Sequence, residues 1–402
     1  MTFPDTLDIP PDVLEIARTL ETAGFEAWCV GGAVRDTLLG VPNTDYDVAT
    51  SARPEQVKEL FKKTIAVGER FGTVGVYIRR RTYEVTTFRR DVQTDGRHAV
   101  VEYGASLEED LARRDFTINA IAYQPLRHEW SDPFEGEADL DRKLVRAVGD
   151  AAERFREDYL RILRAIRFAA RFDFAIEDAT WAAMREQVSG LGQLSAERVR
   201  EEWFKGLMTA RSLTRLIELW LTSGAAAVWL PELLTGRLAG RATMLPALEA
   251  LVGAGAARDP VLLTILLCLD PVSVLVRLKA SRADIARAAA VLSGAPEPDG
   301  TDQVSVRRWM AAVGDAVNDL MDVWQFQHGA RPLWAPVVKG ISERNEPLTR
   351  KQLAVTGDDL RAAGYPPGPE MGRLLDRLLG LVVDDPSLNT RDGLLAKARE
   401  LS

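Results

Sequence analysis

Cysteine and histidine are scarce in this sequence: 402 residues hold only Cys29 and Cys268, and only His98, His128 and His328. Two distant cysteines exclude a disulfide framework and a cysteine-rich zinc site. Three scattered histidines exclude a histidine-cluster metal site and an HD-type phosphohydrolase centre. Long apolar runs are missing as well. No stretch approaches the eighteen or so residues that a membrane span needs, so no membrane association is expected. Met1-Thr2-Phe3-Pro4-Asp5 has neither a basic n-region nor an apolar h-region, which makes a secretory leader unexpected and a cytoplasmic location the expectation. Positive charge is also in deficit. The net charge is −8, so the surface is not uniformly basic, and any cations that meet nucleic acid must be gathered locally. No internal repeat of fixed period is present.

What remains is the composition of a globular chain, 46% apolar and 27% charged, long enough for two to four domains. The apolar period predicts a leading helix over residues 10–24. Residues 25–148 mix short strands with helices. Pro54 opens a helix, residues 72–78 and 82–88 alternate as strands around an Arg79-Arg80-Arg81 turn, and residues 89–98 read as a polar, mobile loop. A short helix is predicted at 107–111, and residues 118–123 are apolar enough to be buried. Beyond a boundary near Gly149 the pattern is helical, with helices at 152–172, 178–188, 196–208 and 212–222. Residues 293–304 read as a linker, and the last helical part is interrupted at Pro366-Pro367-Gly368-Pro369. The nine tryptophans mostly sit on apolar faces and read as core.

The stretch from Gly31 to Asp47 carries the first chemistry. A short strand ending at Val30 runs into Gly31-Gly32-Ala33-Val34-Arg35-Asp36, where glycines let backbone come close to a ligand and a helix start presents free N–H groups to phosphate. Asp45 and Asp47 follow at i and i+2, which puts both carboxylates on one face of a strand. A divalent metal, Mg²⁺ above all, is the usual neutraliser of such a pair and also takes substrate phosphates. Metal-assisted nucleotidyl transfer is therefore the first hypothesis, with Asp45 and Asp47 as metal ligands and catalytic acids. Glu84 lies mid-strand, either as a third carboxylate on the metals or as an exposed edge residue. In Arg113-Arg114-Asp115-Phe116-Thr117-Ile118-Asn119, the arginines suit triphosphate oxygens and the acid suits ribose hydroxyls. A surface salt-bridge cluster is the alternative.

The helix that follows Glu157-Asp158 places Arg161, Arg164, Arg167 and Arg171 within about a third of its circumference, among apolar neighbours. Arginines on a buried helix need anionic partners. Glu157, four residues before Arg161, is placed to orient it. Asp158 beside Arg161 offers an acceptor and a donor fork suited to a nucleobase edge. An internal ion-pair network is the other reading.

Taken together, these residues resemble the class II tRNA nucleotidyltransferases, the CCA-adding enzymes of the tRNA nucleotidyltransferase/poly(A) polymerase family. The resemblance rests on GGAVRD at 31–36, DYD at 45–47, RRDFTINA at 113–120, DPFEG at 132–136, REDYLRILRAIRFAARF at 156–172 and AERVREE at 196–202. It covers residues 25 to about 205. It implies an α+β protein in which a polymerase-β-like nucleotidyltransferase head, a mixed sheet with helices over 1–148, precedes an all-α neck (149–210), body (211–295) and tail (296–402). It further implies metal-binding acids at Asp45 and Asp47, and a triphosphate motif at Gly31, Gly32 and Arg35. Asp115 would read the ribose beside Arg114 and Asn119, with Arg164 on the same helix face as the base reader. Asp158 and Arg161 would read the base, with Glu157 orienting the arginine.

The implied reaction is attack of the tRNA 3′-hydroxyl on the α-phosphorus of CTP or ATP, with the protein as template. Cytosine and adenine offer an amine to Asp158 and a ring acceptor to Arg161, whereas uracil and guanine set a carbonyl oxygen against the carboxylate. Gly68-Glu69-Arg70-Phe71-Gly72-Thr73 has the form typical of CCA-type enzymes rather than of bacterial poly(A) polymerases. The segment 90–105 is close to full length, yet it has no tyrosine before Asp95 and has Ala99 where proline is common. Enzymes adding only CC or only A therefore stay open as alternatives, as does a silent RNA-binding relative. A dehydrogenase-like reading fails because Gly31-Gly32 lacks the G-x-G-x-x-G spacing.

Overall fold

In a computed structural model of the chain, residues 2–42, 46–68, 72–94, 99–233, 241–253, 258–298 and 300–401 are described. They divide into two units, Met1–Leu233 and Leu234–Ser402. In the first, α1 (Pro11–Thr22) buries Val13, Ile16, Ala17 and Leu20, the face that a 3.6-residue period sets out. Next come β1 (Ala27–Val30), α2 (Gly32–Leu38), β2 (Asp47–Thr50), α3 (Pro54–Leu60), β3 (Thr64–Gly68), β4 (Thr73–Ile78), β5 (Arg81–Thr87), β6 (Arg89–Thr94) and β7 (Ala99–Tyr103). They are followed by α4 (Leu107–Ala112), β8 (Ala122–Gln124), β9 (Glu129–Ser131), α5 (Gly136–Asp141), β10 (Leu144–Val145), α6 (Ala151–Glu157), α7 (Leu160–Phe172), β11 (Ala175–Ile176), α8 (Asp178–Gln187), α9 (Ala196–Thr209), α10 (Leu213–Thr222) and α11 (Ala225–Trp229).

Seven strands form one sheet in the order β3-β4-β5-β2-β1-β8-β9. Its pairs are antiparallel except for β2 with β5. Trp28 and Val30 of β1, Ala49 of β2 and Ala122 of β8 pack with Phe88, Leu111 and Ala120 beneath the sheet. The mixed sheet with helices expected of the head is thus the observed architecture. Cys29, between Trp28 and Val30 on the opposite face of β1, is also buried, which pushes its thiol up to about 12, and both cysteines are free. Trp28, Trp203, Trp220, Trp309 and Trp334 are buried, and the other four tryptophans are half-buried.

Three expectations need correction. Residues 89–98 are not wholly loop, because β6 and β7 pair as an antiparallel hairpin with Arg89 opposite Tyr103. Arg90 of β6 donates to Glu102 of β7 at 2.7 and 2.9 Å, a cross-strand ion pair that polarity alone disguises as loop. Residues 95–98, with His98, lie outside the described residues. The single helix expected over 152–172 is two, α6 and α7. At the break, Asp158 is extended (φ −155°, ψ 103°), and its Oδ1 accepts the Leu160 N–H at 3.0 Å. Aspartate competes for backbone in this way and so favours caps over helix interiors. A two-residue strand, β11, also follows α7 and pairs in parallel with β10, where only helix was expected.

The second unit is helical. It runs through α12 (Arg241–Gly253), α13 (Pro260–Leu267), α14 (Pro271–Arg277), α15 (Arg282–Ser293), α16 (Gln303–Val313), α17 (Val317–His328), α18 (Ala335–Glu343), α19 (Gly357–Ala362), α20 (Pro369–Asp384) and α21 (Arg391–Leu401). Val306, Trp309, Trp334 and Ile341 centre one cluster, and Leu360, Leu378, Val382 and Leu394 another. The prolines at 366–369 fall between α19 and α20, as the sequence suggests. Among the described residues, no helix is long and apolar enough to cross a membrane.

The Asp132-Pro133-Phe134-Glu135-Gly136 motif has a local explanation. Asp132 accepts the Gly136 and Glu137 N–H groups at 2.7 and 2.9 Å and so starts α5. Asp139 on α5 then accepts from Thr117 Oγ1 at 2.6 Å and from Arg146 at 2.8 Å. A Cβ at Gly136 would meet the Thr117 carbonyl oxygen at 2.3 Å. That neighbour is backbone and cannot swing aside. Gly136→Ala is therefore expected to cost about 2 kcal/mol or more, as overpacking does, seen as a lower urea midpoint with unchanged slope. An unchanged midpoint would refute the close approach.

Candidate functional site

Gly31 closes the turn from β1 into α2 with φ +72°, a conformation unfavourable for any L side chain. A Cβ on it would also lie 2.7 Å from Arg114 Nη1. Backbone and guanidinium therefore occupy adjoining space, which glycine alone permits. Here a cleft of about 500 Å³ opens, floored by this turn and residues 113–119 and walled by α7. Of the residues singled out from sequence, Gly31, Gly32, Arg35, Asp47, Arg114, Asp115, Asn119, Asp158, Arg161 and Arg164 line it. They come from segments more than a hundred positions apart.

Asp47 opens β2 opposite Val30. Asp45, two residues earlier, lies outside the described residues. Glu84 is exposed on β5 and does not belong to the cleft lining. The register Val48 to Val85 nevertheless sets Glu84 beside Asp47 on the same face when carried back one step. Among the described residues, no three carboxylate, imidazole or thiolate groups gather into a metal cluster. The half-buried Asp47 at the cleft wall supplies a hard oxygen donor of the kind a divalent cation takes.

The arginines of α7 each meet a carboxylate. Arg161 donates to Glu157 at 3.0 Å, the contact expected of an i,i+4 pair, and also to the carbonyls of Arg113 at 2.9 Å and Arg154 at 3.4 Å. Arg164 Nε donates to Asp115 Oδ2 at 2.6 Å. Arg167 donates to Glu202 of α9 at 2.5 Å, and Arg171 to Asp36 of α2 at 2.9 Å. Asp115 Oδ1 accepts the Asn119 amide at 2.8 Å and the Phe116 N–H at 2.9 Å. Asn119 Oδ1 in turn accepts from Arg35. Burial alone would raise the Asp115 carboxyl, but Arg164, Asn119 and Arg161 overcome it and hold the group at about 2.

Three placements go beyond the sequence reading. Arg35 is buried. It donates to Asp36 Oδ1 at 2.6 and 2.8 Å, and its guanidinium lies over the Phe168 and Phe172 rings, 4.9 and 4.8 Å from their centroids. Asp158 and Arg161 share the cleft, yet Asp158 Oδ2 accepts from Arg198 Nη2 at 2.6 Å, while Arg161 turns to Glu157. Arg113, read from sequence as a triphosphate partner, lines the cleft too, and Arg167, Phe168, Arg171 and Arg198 do so without having been assigned to it. Arg198 and Glu202, one turn apart in the AERVREE segment, were the available signal. That spacing puts both on one face of α9, the face turned to α7.

Residues 27–146 match the Poly A polymerase head domain family, and residues 173–235 match the Probable RNA and SrmB- binding site of polymerase A. The CCA-adding enzyme of Levilactobacillus brevis is 36% identical, over 96% of this chain and 98% of that one. That of Streptococcus sanguinis is 47% identical over 55% of each chain. Among solved structures, the Bacillus stearothermophilus CCA-adding enzyme in complex with CTP is 32% identical, covers 98% of both chains and superposes with a TM-score of 0.77. The Thermotoga maritima CCA-adding enzyme complexed with tRNA_CCA shares the fold at 22% identity, over 98% of this chain and 97% of that one, with a TM-score of 0.64.

The Asp115 network carries a pH signature. Its folded value of about 2 lies below the ordinary 3.8, so the unfolded chain binds that proton more tightly. The contribution is complete above about pH 4 and is lost as pH falls towards 2. Denaturation followed across that range is expected to show stability falling with acid. Asp115→Asn should lower stability at neutral pH and flatten part of the acid slope. An unchanged slope in the variant would show that Asp115 is not held in this way.

Proposed function

The chain belongs to the CCA-adding enzymes, tRNA nucleotidyltransferases with a Poly A polymerase head domain, and from that premise we propose how its own residues complete the tRNA 3′ end with CMP and AMP from CTP and ATP, releasing pyrophosphate. The observation that carries this reading is the single cleft that holds the glycine turn, Asp47, the arginine wall and Asp158 together. The family's chemistry uses a divalent metal. We assign it as Mg²⁺ on Asp45 and Asp47, with Glu84 as the further carboxylate on that face. Held there, the metal would lower the pKa of the attacking hydroxyl and offset charge on the leaving phosphates.

The protein's own groups bind, orient and select. Gly31 and Gly32 let the triphosphate approach backbone N–H groups, and Arg114 and Arg164 supply planar donors to its oxygens. Asp115, held ionised, takes ribose hydroxyl donors. Asp158 accepts the exocyclic amine of cytosine or adenine, and Arg161, oriented by Glu157, donates to the ring acceptor. Uracil and guanine would face Asp158 with a carbonyl oxygen, leaving an acceptor against an acceptor. Arg35, buried against two phenylalanine rings, supports the turn. Residues 1–148 act as catalytic head and 149–210 as base-reading neck, with body (211–295) and tail (296–402) holding tRNA.

Purified protein with Mg²⁺, labelled CTP or ATP, and tRNAs ending at the discriminator base, at C or at CC tests both activity and specificity. CCA addition predicts incorporation on all three ends. Incorporation confined to one nucleotide would point to a CC-only or A-only enzyme, and long A tails to a poly(A) polymerase. Asp45→Ala combined with Asp47→Ala is expected to cut incorporation about a thousandfold or more, the scale of several kcal/mol of charge stabilisation. Unchanged incorporation would overturn the mechanism.

A further inference from the structure

We infer that Arg198 is a positioning residue for nucleobase choice: it fixes the Asp158 carboxylate in the orientation that receives the amine of the incoming base. This rests on the base-reading role proposed for Asp158. The need for such a residue follows from the backbone. Asp158 stands in the break between α6 and α7, in extended conformation, so no helix confines its side chain. Two contacts fix the carboxylate. Its Oδ1 accepts the Leu160 N–H at 3.0 Å, and its Oδ2 accepts from Arg198 Nη2 at 2.6 Å. The first is local and allows the group to swing with its own loop. The second arrives from α9, forty positions along the chain.

Arg198 has a fixed reach because α9 is itself anchored. Glu202, one turn on, pairs with Arg167 of α7 at 2.5 Å, with both side chains buried. Arg161 does not share this task, since its donors go to Glu157 and to two backbone carbonyls. An ionised carboxylate has about four lone-pair sites. After Leu160 and Arg198, sites remain for a base amine, and their direction is set by those two partners. Discrimination against uracil requires an acceptor that cannot turn away, because the penalty comes from a polar group left unpaired. A carboxylate held only by Leu160 can turn to water and relieve that penalty.

The test compares Arg198→Gln, Arg198→Lys, Asp158→Asn and the double variant Arg198→Gln with Asp158→Asn. Single-nucleotide addition is measured with CTP and UTP on tRNA ending at the discriminator base. Arg198→Gln is expected to lower the CTP-over-UTP ratio in kcat/KM about tenfold, chiefly through a raised KM for CTP. Arg198→Lys, which keeps the charge but loses the planar fork, should fall between. On the Asp158→Asn background, Arg198→Gln should leave the ratio where Asp158→Asn put it, because residues acting through one contact are not additive.

A merely structural Arg198 would lower turnover with both nucleotides and leave the ratio intact, which overturns the inference. So would an additive double variant. If Asp158→Asn itself leaves the ratio unchanged, the base-reading assignment fails. If Asp158→Asn collapses the ratio and Arg198→Gln does not, only the role of Arg198 fails. Should Arg198→Gln not fold, Arg198→Lys decides by the same ratio.

Discussion

Four arginines on one helix must each find a carboxylate, and the first unit is arranged around that requirement. A guanidinium cannot shed its proton in a protein, and an unpaired buried charge is prohibitively costly. The partners come from four places: Glu157 at the end of α6, Asp115 beyond α4, Glu202 on α9 and Asp36 on α2. Of the four only Arg167 is buried, and removing one member of its pair with Glu202 costs about 3–5 kcal/mol, more than most single contacts contribute. α7 therefore fixes where the glycine turn, Asp115 and the next helix sit. Phe168 and Phe172, nearly parallel with centroids 6.1 Å apart, supply the apolar part of the same arrangement and flank Arg35.

Exposure separates the arginines that hold the fold from those able to address a ligand. The side chains of Arg35 and Arg167 are 4% and 9% exposed, whereas Arg164 and Arg171 are 34% and 25% exposed. A guanidinium carries five N–H donors, so one ion pair leaves Arg164 and Arg171 with further donors on the cleft side. Arg35 is instead held in place: all three of its guanidinium nitrogens donate, to Asp36 and Asn119, and it lies against two rings. Its neighbours in GGAVRD suggest phosphate contact by spacing alone. Its burial makes it the keystone beneath that contact.

The period of apolar residues made α1, α8, α9 and α10 legible, because a helix that buries one face must repeat that face. The arginine spacing on α7 was legible for the same reason, as was the i,i+4 contact of Glu157 with Arg161. The break at Asp158 was not. A single aspartate between two good helix formers leaves the period intact, and only its bond to the Leu160 N–H shows the interruption. The β6–β7 hairpin was hidden because β6 is mostly polar and one of its cross-strand pairs, Arg90 with Glu102, is ionic, so no apolar alternation marks that strand. The partner of Asp158 was hidden most deeply. Local spacing offered Arg161, three residues on, whereas the fold delivers Arg198 from another helix. Sequence names residue types suited to a site. The pairing within the site depends on which helices pack together, and that is decided by buried surfaces elsewhere.

Acidic overall charge and an anionic substrate are reconciled by geometry. The chain carries −8, yet eight arginines and three aspartates line the cleft. The compensating acids Asp36, Asp110, Glu157 and Glu202 bind those arginines without lining the cavity. Each pair therefore points its positive end inward and its negative end into the protein. A field built from oriented pairs falls off over short distances, and salt screens it beyond about 10 Å. It concentrates positive potential at the cleft without making the whole surface sticky to nucleic acid. Because that field is local, the grip on the rest of a large polyanion must come from surfaces beyond this wall.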